Sequence, residues 1–269
     1  MGARQSRRAV PEPTSRLWAA VASSIRSGWL GINDRAKELK VIQMLLFPVL
    51  MCTSARQGDI VALEAHLQQG ADVSIVDSHR RTPLHLAASE GDIETVRFLL
   101  KSGANINSTD NSKDSALRDA IRCKSIEVVE HMVSEGAYLD TSPAELGTEM
   151  CCLAHLGDAK QMEVWKAAGV HFNYADYDGR TPLHVAVCTN QPEMVIFCTR
   201  NGSNLEHQDR FNNRPIDDGR RLGLPGIVEL LGAQKQRLEK EAADAAAQAA
   251  RLKMEEDGLK AETASSSSS

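Results

Sequence analysis

The tetrapeptide Thr82-Pro83-Leu84-His85 occurs a second time further along the chain, as Thr181-Pro182-Leu183-His184. Five glycines recur at equal intervals, at positions 70, 103, 136, 169 and 202. The two tetrapeptides are separated by three such intervals, so the tetrapeptide and the glycines belong to one period. A fixed period of about 33 residues indicates a repeat protein, in which each short unit packs against its neighbours.

Each repeat is predicted to hold two short helices and a loop. Thr82 can cap the first helix with its hydroxyl, and Pro83 suits the first turn, where an N–H would be unpaired anyway. Val96 and Leu99 predict the buried stripe of the second helix, and Gly103 suits its left-handed end. The period and the tetrapeptide resemble the ankyrin family. The resemblance implies an all-α ankyrin-repeat solenoid of about five to six helix-turn-helix units with β-hairpin-like loops, plus a C-terminal helix.

The pattern divides the 269 residues into four parts. We expect a basic arm (1–33), an ankyrin-repeat domain (34–233), a charged Ala-rich helix (234–264) and a serine tail (265–269). The apolar stretch from Val41 to Cys52 is short and interrupted by Pro48, which favours a buried helix pair over a membrane span. Weak heptads from Leu238 onwards favour a solvated single helix and leave a coiled coil as the alternative.

The basic arm carries five arginines against one acidic residue, Glu12. Its apolar residues fall roughly on one helical face: Leu17, Trp18, Val21, Ile25 and Trp29. The first six residues fit the N-myristoylation pattern, with Gly2 as the acceptor. An Arg- and Ser-rich segment with few acids also fits a mitochondrial presequence. We favour a third interpretation, an arm that is disordered or amphipathic and loosely docked.

Composition narrows the class of function. The formal net charge of −5 gives no basic footprint for nucleic acid. None of the six cysteines forms a C-x-x-C pair, and we expect them to be reduced thiols. Reduced thiols predict a cytoplasmic protein. The alternatives are the nucleus, or the membrane if Gly2 is myristoylated. Cys151, Cys152 and His155 could approach a metal, but a structural zinc site needs four ligands, so packed thiols are expected. We therefore expect no metal and no cofactor.

Two further stretches resemble a particular group of ankyrin proteins. Phe47-Pro48-Val49-Leu50-Met51-Cys52, and later Leu146-Gly147-Thr148-Glu149-Met150-Cys151, resemble the ankyrin region of animal type I asparaginases, also described as lysophospholipases. The resemblance covers about residues 37–231. It implies a preceding catalytic domain with nucleophilic threonines in T-G-G-T and T-D motifs, and neither context occurs here. The chain is then a separate protein, a truncated form or a fragment, and the family's activity is not expected to transfer.

Stacked ankyrin repeats present a concave face made of loop tips and inner helices, and we expect a protein partner there. Tyr177, Phe211 and the arginines are the expected anchors, because aromatic residues and arginine dominate interface hot spots. In this family, an asparagine four residues after the repeat glycine can be hydroxylated by an iron- and oxoglutarate-dependent enzyme, which predicts Asn107 as a modification site. The predicted partner-binding residues are Ser78, His79, Arg81, Glu90, Asn111, Asp114, Arg122, Tyr177, Asp178, Arg180, Arg210 and Phe211.

The sequence thus predicts a protein–protein interaction module or adaptor without intrinsic catalysis. The alternative is a regulatory or assembly part of an asparaginase (asparagine amidohydrolase) or lysophospholipase-type protein. A self-contained enzyme is the least favoured hypothesis, since His85 and His184 are expected to link neighbouring repeats rather than to catalyse. No nucleic-acid partner is expected, and membrane contact by the arm is an alternative that we do not favour.

Overall fold

The computed structural model describes residues 32–266, which contain twelve α-helices and, in place of β-strands, one isolated bridge between Thr109 and Ser115. The helices form six consecutive inner–outer pairs, so the expected all-α repeat fold with a C-terminal helix is confirmed. Two compact parts divide between Ala116 and Leu117, and we call them the N-lobe and the C-lobe. The helices are α1 (Ile32–Gln57), α2 (Ile60–Gln68), α3 (Pro83–Glu90), α4 (Ile93–Lys101), α5 (Ala116–Arg122), α6 (Ile126–Ser134), α7 (Pro143–Leu156), α8 (Ala159–Ala167), α9 (Pro182–Cys188), α10 (Pro192–Arg200), α11 (Pro215–Arg221) and α12 (Pro225–Ser266).

The histidine of the tetrapeptide links its inner helix to the following loop. The backbone N–H of Thr82 donates to Nδ1 of His85 at 3.1 Å. Because Nδ1 accepts, the proton of the neutral ring lies on Nε2, which donates to the carbonyl of Asp114 at 3.2 Å. His184 repeats this arrangement in the C-lobe, accepting from Thr181 and donating to Asn213. Both imidazoles are fully buried and structural, as the sequence predicted.

Other side chains make the same link at the equivalent position of other repeats. Cys52, which precedes His85 by one period, directs its thiol at the carbonyl of Arg81 at 3.9 Å. Cys151, one period before His184, donates to the carbonyl of Arg180 at 3.3 Å. Cys151 therefore makes this link from the position at which the repeat spacing places the histidine of the tetrapeptide.

The fourth repeat departs from the others at its inner helix. The periodic phase aligned Thr148 with the start of that helix, but α7 begins earlier, at Pro143. The local cap decides the start: the Ser142 hydroxyl accepts from the N–H of Glu145, whose carboxylate accepts from the N–H of Ser142. The early start gives α7 14 residues, against 8 in α3. Gly147 lies inside this extension, where a Cβ would collide with the carbonyl group of Ala175.

The first helix differs from its expected form, and the last helix is long and largely exposed. One continuous helix, α1, contains Pro48, so the expected helix pair around that proline is wrong. At the other end α12 buries Ile227 and Leu231, while residues 239–248 are exposed throughout. None of the helices within residues 32–266 is long and apolar enough to cross a membrane. The expected domain boundaries stay predictions. The basic arm up to position 31, which includes Gly2, lies outside the described residues.

Candidate partner-binding loops

Four five-residue loops precede inner helices, and each is shaped by its first residue, an aspartate. In the loop 176–180, Oδ1 of Asp176 accepts the N–H groups of Asp178 and Arg180 at 2.8 and 2.9 Å. The N–H of Asp176 in turn donates to the carbonyl of Arg180 at 2.9 Å. The same pattern shapes the loops 77–81, 110–114 and 209–213. The corresponding position of the fourth repeat is Pro143, which begins α7, and no such loop forms there.

These aspartates are held within their loops by hydrogen bonds to the carboxylate. Burial alone would raise the pKa of Asp77, but the backbone N–H groups of Arg81 and His79 and the Arg81 guanidinium bring that pKa below its ordinary value. The pKa of Asp209 is likewise lowered against burial, by the N–H groups of Asn213 and Phe211. Both carboxylates therefore stay ionised at neutral pH and act as frames for the loop tips.

The loops join in pairs, one pair in each lobe. In the C-lobe loop pair (176–180 and 209–213), the N–H of Arg210 donates to the carbonyl of Asp178 at 3.0 Å. The Arg210 guanidinium also forms an ion pair with the Asp178 carboxylate at 2.6 Å and lies 4.8 Å from the centroid of the Phe211 ring. Tyr177 and Phe211 expose 73% and 60% of their surface. This loop pair therefore presents two aromatic rings and a cation to solvent.

The N-lobe loop pair (77–81 and 110–114) has the same backbone but a polar surface. The N–H of Asn111 donates to the carbonyl of His79 at 3.0 Å. Ser78, His79 and Asn111 are exposed, whereas the Arg81 guanidinium is held by the Asp77 carboxylate at 3.2 Å. These two loops contain no aromatic ring other than the imidazole of His79.

The remaining predicted residues lie at the ends of inner helices or within the loop frames. Glu90 is exposed near Arg56, at 3.8 Å, and Arg122 forms an ion pair with Asp119 at 2.8 Å. Four predicted residues were expected to be exposed but are only half-buried, because each is part of its loop frame: Arg81, Asp114, Asp178 and Arg180. Arg180 is the clearest case: its carbonyl accepts from Cys151, and its Nε is buried without a hydrogen-bond partner.

The other candidate residues do not assemble a metal site. Burial raises the pKa of the Cys151 thiol to about 12, whereas Cys152 and His155 are exposed. Within the described part of the chain, no group of three or more His, Cys, Asp or Glu side chains could hold a metal ion. Asn107 donates its backbone N–H to the Asn105 side chain at 3.2 Å and is half-buried, and its hydroxylation stays a prediction.

Relatives of this chain include two enzymes and a channel. An L-asparaginase of Dirofilaria immitis is 35% identical over 191 residues, which are 71% of this chain and 32% of that protein. The 60 kDa lysophospholipase of Homo sapiens is 53% identical over 63% of this chain and 30% of its own length. The potassium channel GORK of Arabidopsis thaliana is 43% identical over 74% of this chain and 25% of its own length. The chain thus spans about a third or less of each of these relatives.

Solved structures and family models agree on the fold. A chain in the complex of the Bd0816 predatory endopeptidase from Bdellovibrio bacteriovorus with the immunity protein Bd3460 superimposes with a TM-score of 0.51 at 21% identity. That alignment covers 68% of this chain and 97% of the other, and it supports the fold alone. A model of ankyrin repeats in three copies matches residues 50–142, and a model of one ankyrin repeat matches residues 178–210. Together with the six helix pairs, these matches show that the chain is an ankyrin-repeat protein.

Proposed function

We propose that the chain is a protein-binding module and that its partner contacts the C-lobe loop pair. The observation that carries this proposal is the exposure of Tyr177 and Phe211 in two loops that are fixed by their aspartate frames. Rigid aromatic side chains beside an arginine lose little entropy on binding and are common interface hot spots. Arg210, already paired with Asp178, supplies a cation that an acidic group of a partner could share. The proposed module needs no catalysis of its own, and we place it in the cytoplasm.

A double variant, Tyr177→Ala with Phe211→Ala, tests the contact surface. Leu156→Ala is a matched control, because Leu156 is 74% exposed and lies at the end of α7, outside the loops. Proteins captured by the tagged chain from its source lysate are quantified by mass spectrometry for both variants. We expect the double variant to lose a partner that the control retains, with unchanged circular dichroism. If both variants retain every partner, the C-lobe loop pair is not the binding surface.

A second candidate function is favoured by the similarity to the L-asparaginase and the 60 kDa lysophospholipase. In this alternative, the chain regulates or assembles an asparaginase or lysophospholipase-type catalytic domain. Titration of a purified catalytic domain with the chain tests it directly, with binding measured by calorimetry and activity by product release. Binding that the Tyr177/Phe211 double variant abolishes would favour this alternative, whereas no heat of binding would leave the free-standing adaptor as the function.

A further inference from the structure

The N-lobe loop pair carries an exposed cation at the tip of each loop. Arg80 and Lys113 lie one repeat period apart, each at the fourth position of its loop. Both have a left-handed backbone, with φ angles of 61° and 65°. The equivalent positions of the C-lobe loop pair are Gly179 and Asn212, which are residue types that tolerate this conformation well. The N-lobe thus holds two long basic side chains where the backbone favours glycine.

A third cation shows what can hold such a residue in a left-handed conformation. Lys124 of the C-lobe has a φ angle of 63°, and its Nζ forms an ion pair with the Asp158 carboxylate at 2.7 Å. This contact within the protein counters the cost of the strained backbone. Within the described part of the chain, the side chains of Arg80 and Lys113 have neither a hydrogen bond nor an ion pair. Because strain without an internal contact to offset it is typical of functional sites, we look for the partner of these two cations outside the chain.

The acidic residues of the same two loops lie away from the tips. Asp77 and Asp110 are half-buried, and each carboxylate accepts two backbone N–H groups of its own loop. Asp77 also holds the Arg81 guanidinium, and the third acid, Asp114, is half-buried as well. None of the three acids in these loops is exposed, so a partner that approaches the tips meets only neutral and basic side chains.

The two cations belong to one surface, because their loops are joined. The N–H of Asn111 donates to the carbonyl of His79 at 3.0 Å, and these residues lie beside the two tips. Helices of neighbouring repeats pack about 10 Å apart, and an extended peptide rises by about 3.3 Å per residue. Two carboxylates three residues apart in an extended segment therefore match the separation expected for side chains one repeat apart.

The small number of cations decides the class of partner. Nucleic acids and anionic membranes are usually bound by larger groups of basic residues, and the net charge of the chain is −5. A short acidic segment needs only a few charged contacts. We propose that the N-lobe loop pair binds an extended acidic segment of a partner protein, with Arg80 and Lys113 as the charged contacts. This surface is separate from the C-lobe loop pair and has a different chemistry, so the proposal does not depend on the function proposed above.

A fluorescein-labelled hexaglutamate peptide tests this surface, with hexaglutamine as the uncharged control. Fluorescence polarisation at low salt measures the affinity of each peptide for the full-length chain. The test variant is Arg80→Gly with Lys113→Gly, which removes both cations and places glycine at the left-handed positions, so that the fold is retained. Lys124→Gly is the matched control, because it makes the same change at a left-handed residue whose ion pair lies within the protein.

We expect the double variant to bind hexaglutamate about fivefold or more weakly, because each exposed ion pair contributes up to about a factor of five in affinity. Its urea midpoint should be no lower than that of the unaltered chain, since glycine relieves the strain. Arg80→Lys with Lys113→Arg keeps both charges and should keep the affinity, as should Lys124→Gly.

Three outcomes with the peptides would overturn the proposal: hexaglutamate does not bind the unaltered chain, hexaglutamine binds as tightly, or the glycine double variant keeps its full affinity. Loss of binding in the Tyr177/Phe211 double variant would also overturn it, because the peptide would then occupy the C-lobe loop pair. So would tighter binding of RNA or of phosphatidylserine vesicles through Arg80 and Lys113, since the partner would then be a nucleic acid or a membrane.

Discussion

In the fifth repeat, His184 links its inner helix to the following loop, and the protonation state of its ring depends on pH. Burial lowers the pKa of His184 below its ordinary value of 6.5, because a charged ring would lose its hydration and would place a proton on the Nδ1 that accepts from Thr181. A histidine whose pKa is lower in the folded than in the unfolded chain makes its full contribution to folding stability at any pH above the ordinary pKa. That contribution is lost as the pH falls through the window between the ordinary and the folded value.

We therefore expect the free energy of unfolding to fall below about pH 6.5, by at most about 1.4 kcal/mol per pH unit from this one group. Urea denaturation at pH 7.5 and 5.5 measures the loss. His184→Gln keeps a donor for the Asn213 carbonyl but cannot titrate, so its loss should be smaller. An equal loss in both proteins would contradict the assignment to His184.

Any side chain at Gly147 is predicted to lower the stability of the protein, because there is no space for a Cβ atom. A Cβ at this position would collide with the carbonyl of Ala175 and lie 2.8 Å from the backbone nitrogen of Asp176, and backbone cannot move aside as a flexible side chain can. We expect Gly147→Ala to lower the stability by roughly 1–3 kcal/mol, the usual cost of overpacking. Gly232→Ala in α12 is the control, because no atom lies near its Cβ position and alanine favours a helix. Chemical denaturation that finds the two variants equally stable would show that α7 shifts to accept the methyl group.

At the scale of elements, the period was enough to predict where most helices lie but not where α7 begins. The repeat phase places Thr148 at a helix start, whereas the local Ser142–Glu145 capping box sets the start at Pro143. The loop frames show the same limit. The four loops begin at aspartates that are spaced by the repeat period: Asp77, Asp110, Asp176 and Asp209. At the equivalent position the fourth repeat has Pro143, and it is the repeat without such a loop. Both signals are in the sequence, but they compete with the repeat consensus and only the geometry decides between them.

The candidate site was less predictable than the fold. Tyr177 and Phe211 were expected to be exposed from their place in the repeat, and they are. Arg180 occupies a loop tip in the same register, yet its Nε is buried, because part of the side chain packs against the protein rather than extending into solvent. A repeat consensus gives the position of a Cα atom, whereas the direction of a long side chain depends on neighbours that the period does not specify.

Helix α12 contacts the repeats near its beginning. Ile227 and Leu231 are buried, and Lys235 forms an ion pair with Glu206 at 2.8 Å, whereas residues 239–248 are exposed. We expect a chain ending at residue 241 to lose helical circular dichroism in proportion to the helix removed, with little change in the thermal midpoint. If the distal helix formed a coiled coil instead, the full chain would show a midpoint that rises with protein concentration, and the shortened chain would not.

For the molecule as a whole, the identities of its relatives raise the question of catalysis, and the buried cysteines and His184 are two places where a nucleophile or a base could be sought. A cysteine nucleophile reacts as the thiolate, but burial raises the pKa of Cys52, Cys151 and Cys198 to about 12, so these thiols stay protonated at neutral pH. A histidine base needs a free nitrogen, and in His184 both ring nitrogens already bond within the protein.

We therefore expect the purified chain to release no ammonia from asparagine and no fatty acid from a lysophospholipid above the rate in buffer. Both assays are to be run on the chain alone and after the addition of a catalytic domain from a related asparaginase, which serves as the positive control. A change in the rate of that domain, lost in the Tyr177/Phe211 double variant, would assign the chain a regulatory role through the C-lobe loop pair. Turnover by the chain alone that survives repurification would instead contradict the view that its repeats serve binding without chemistry.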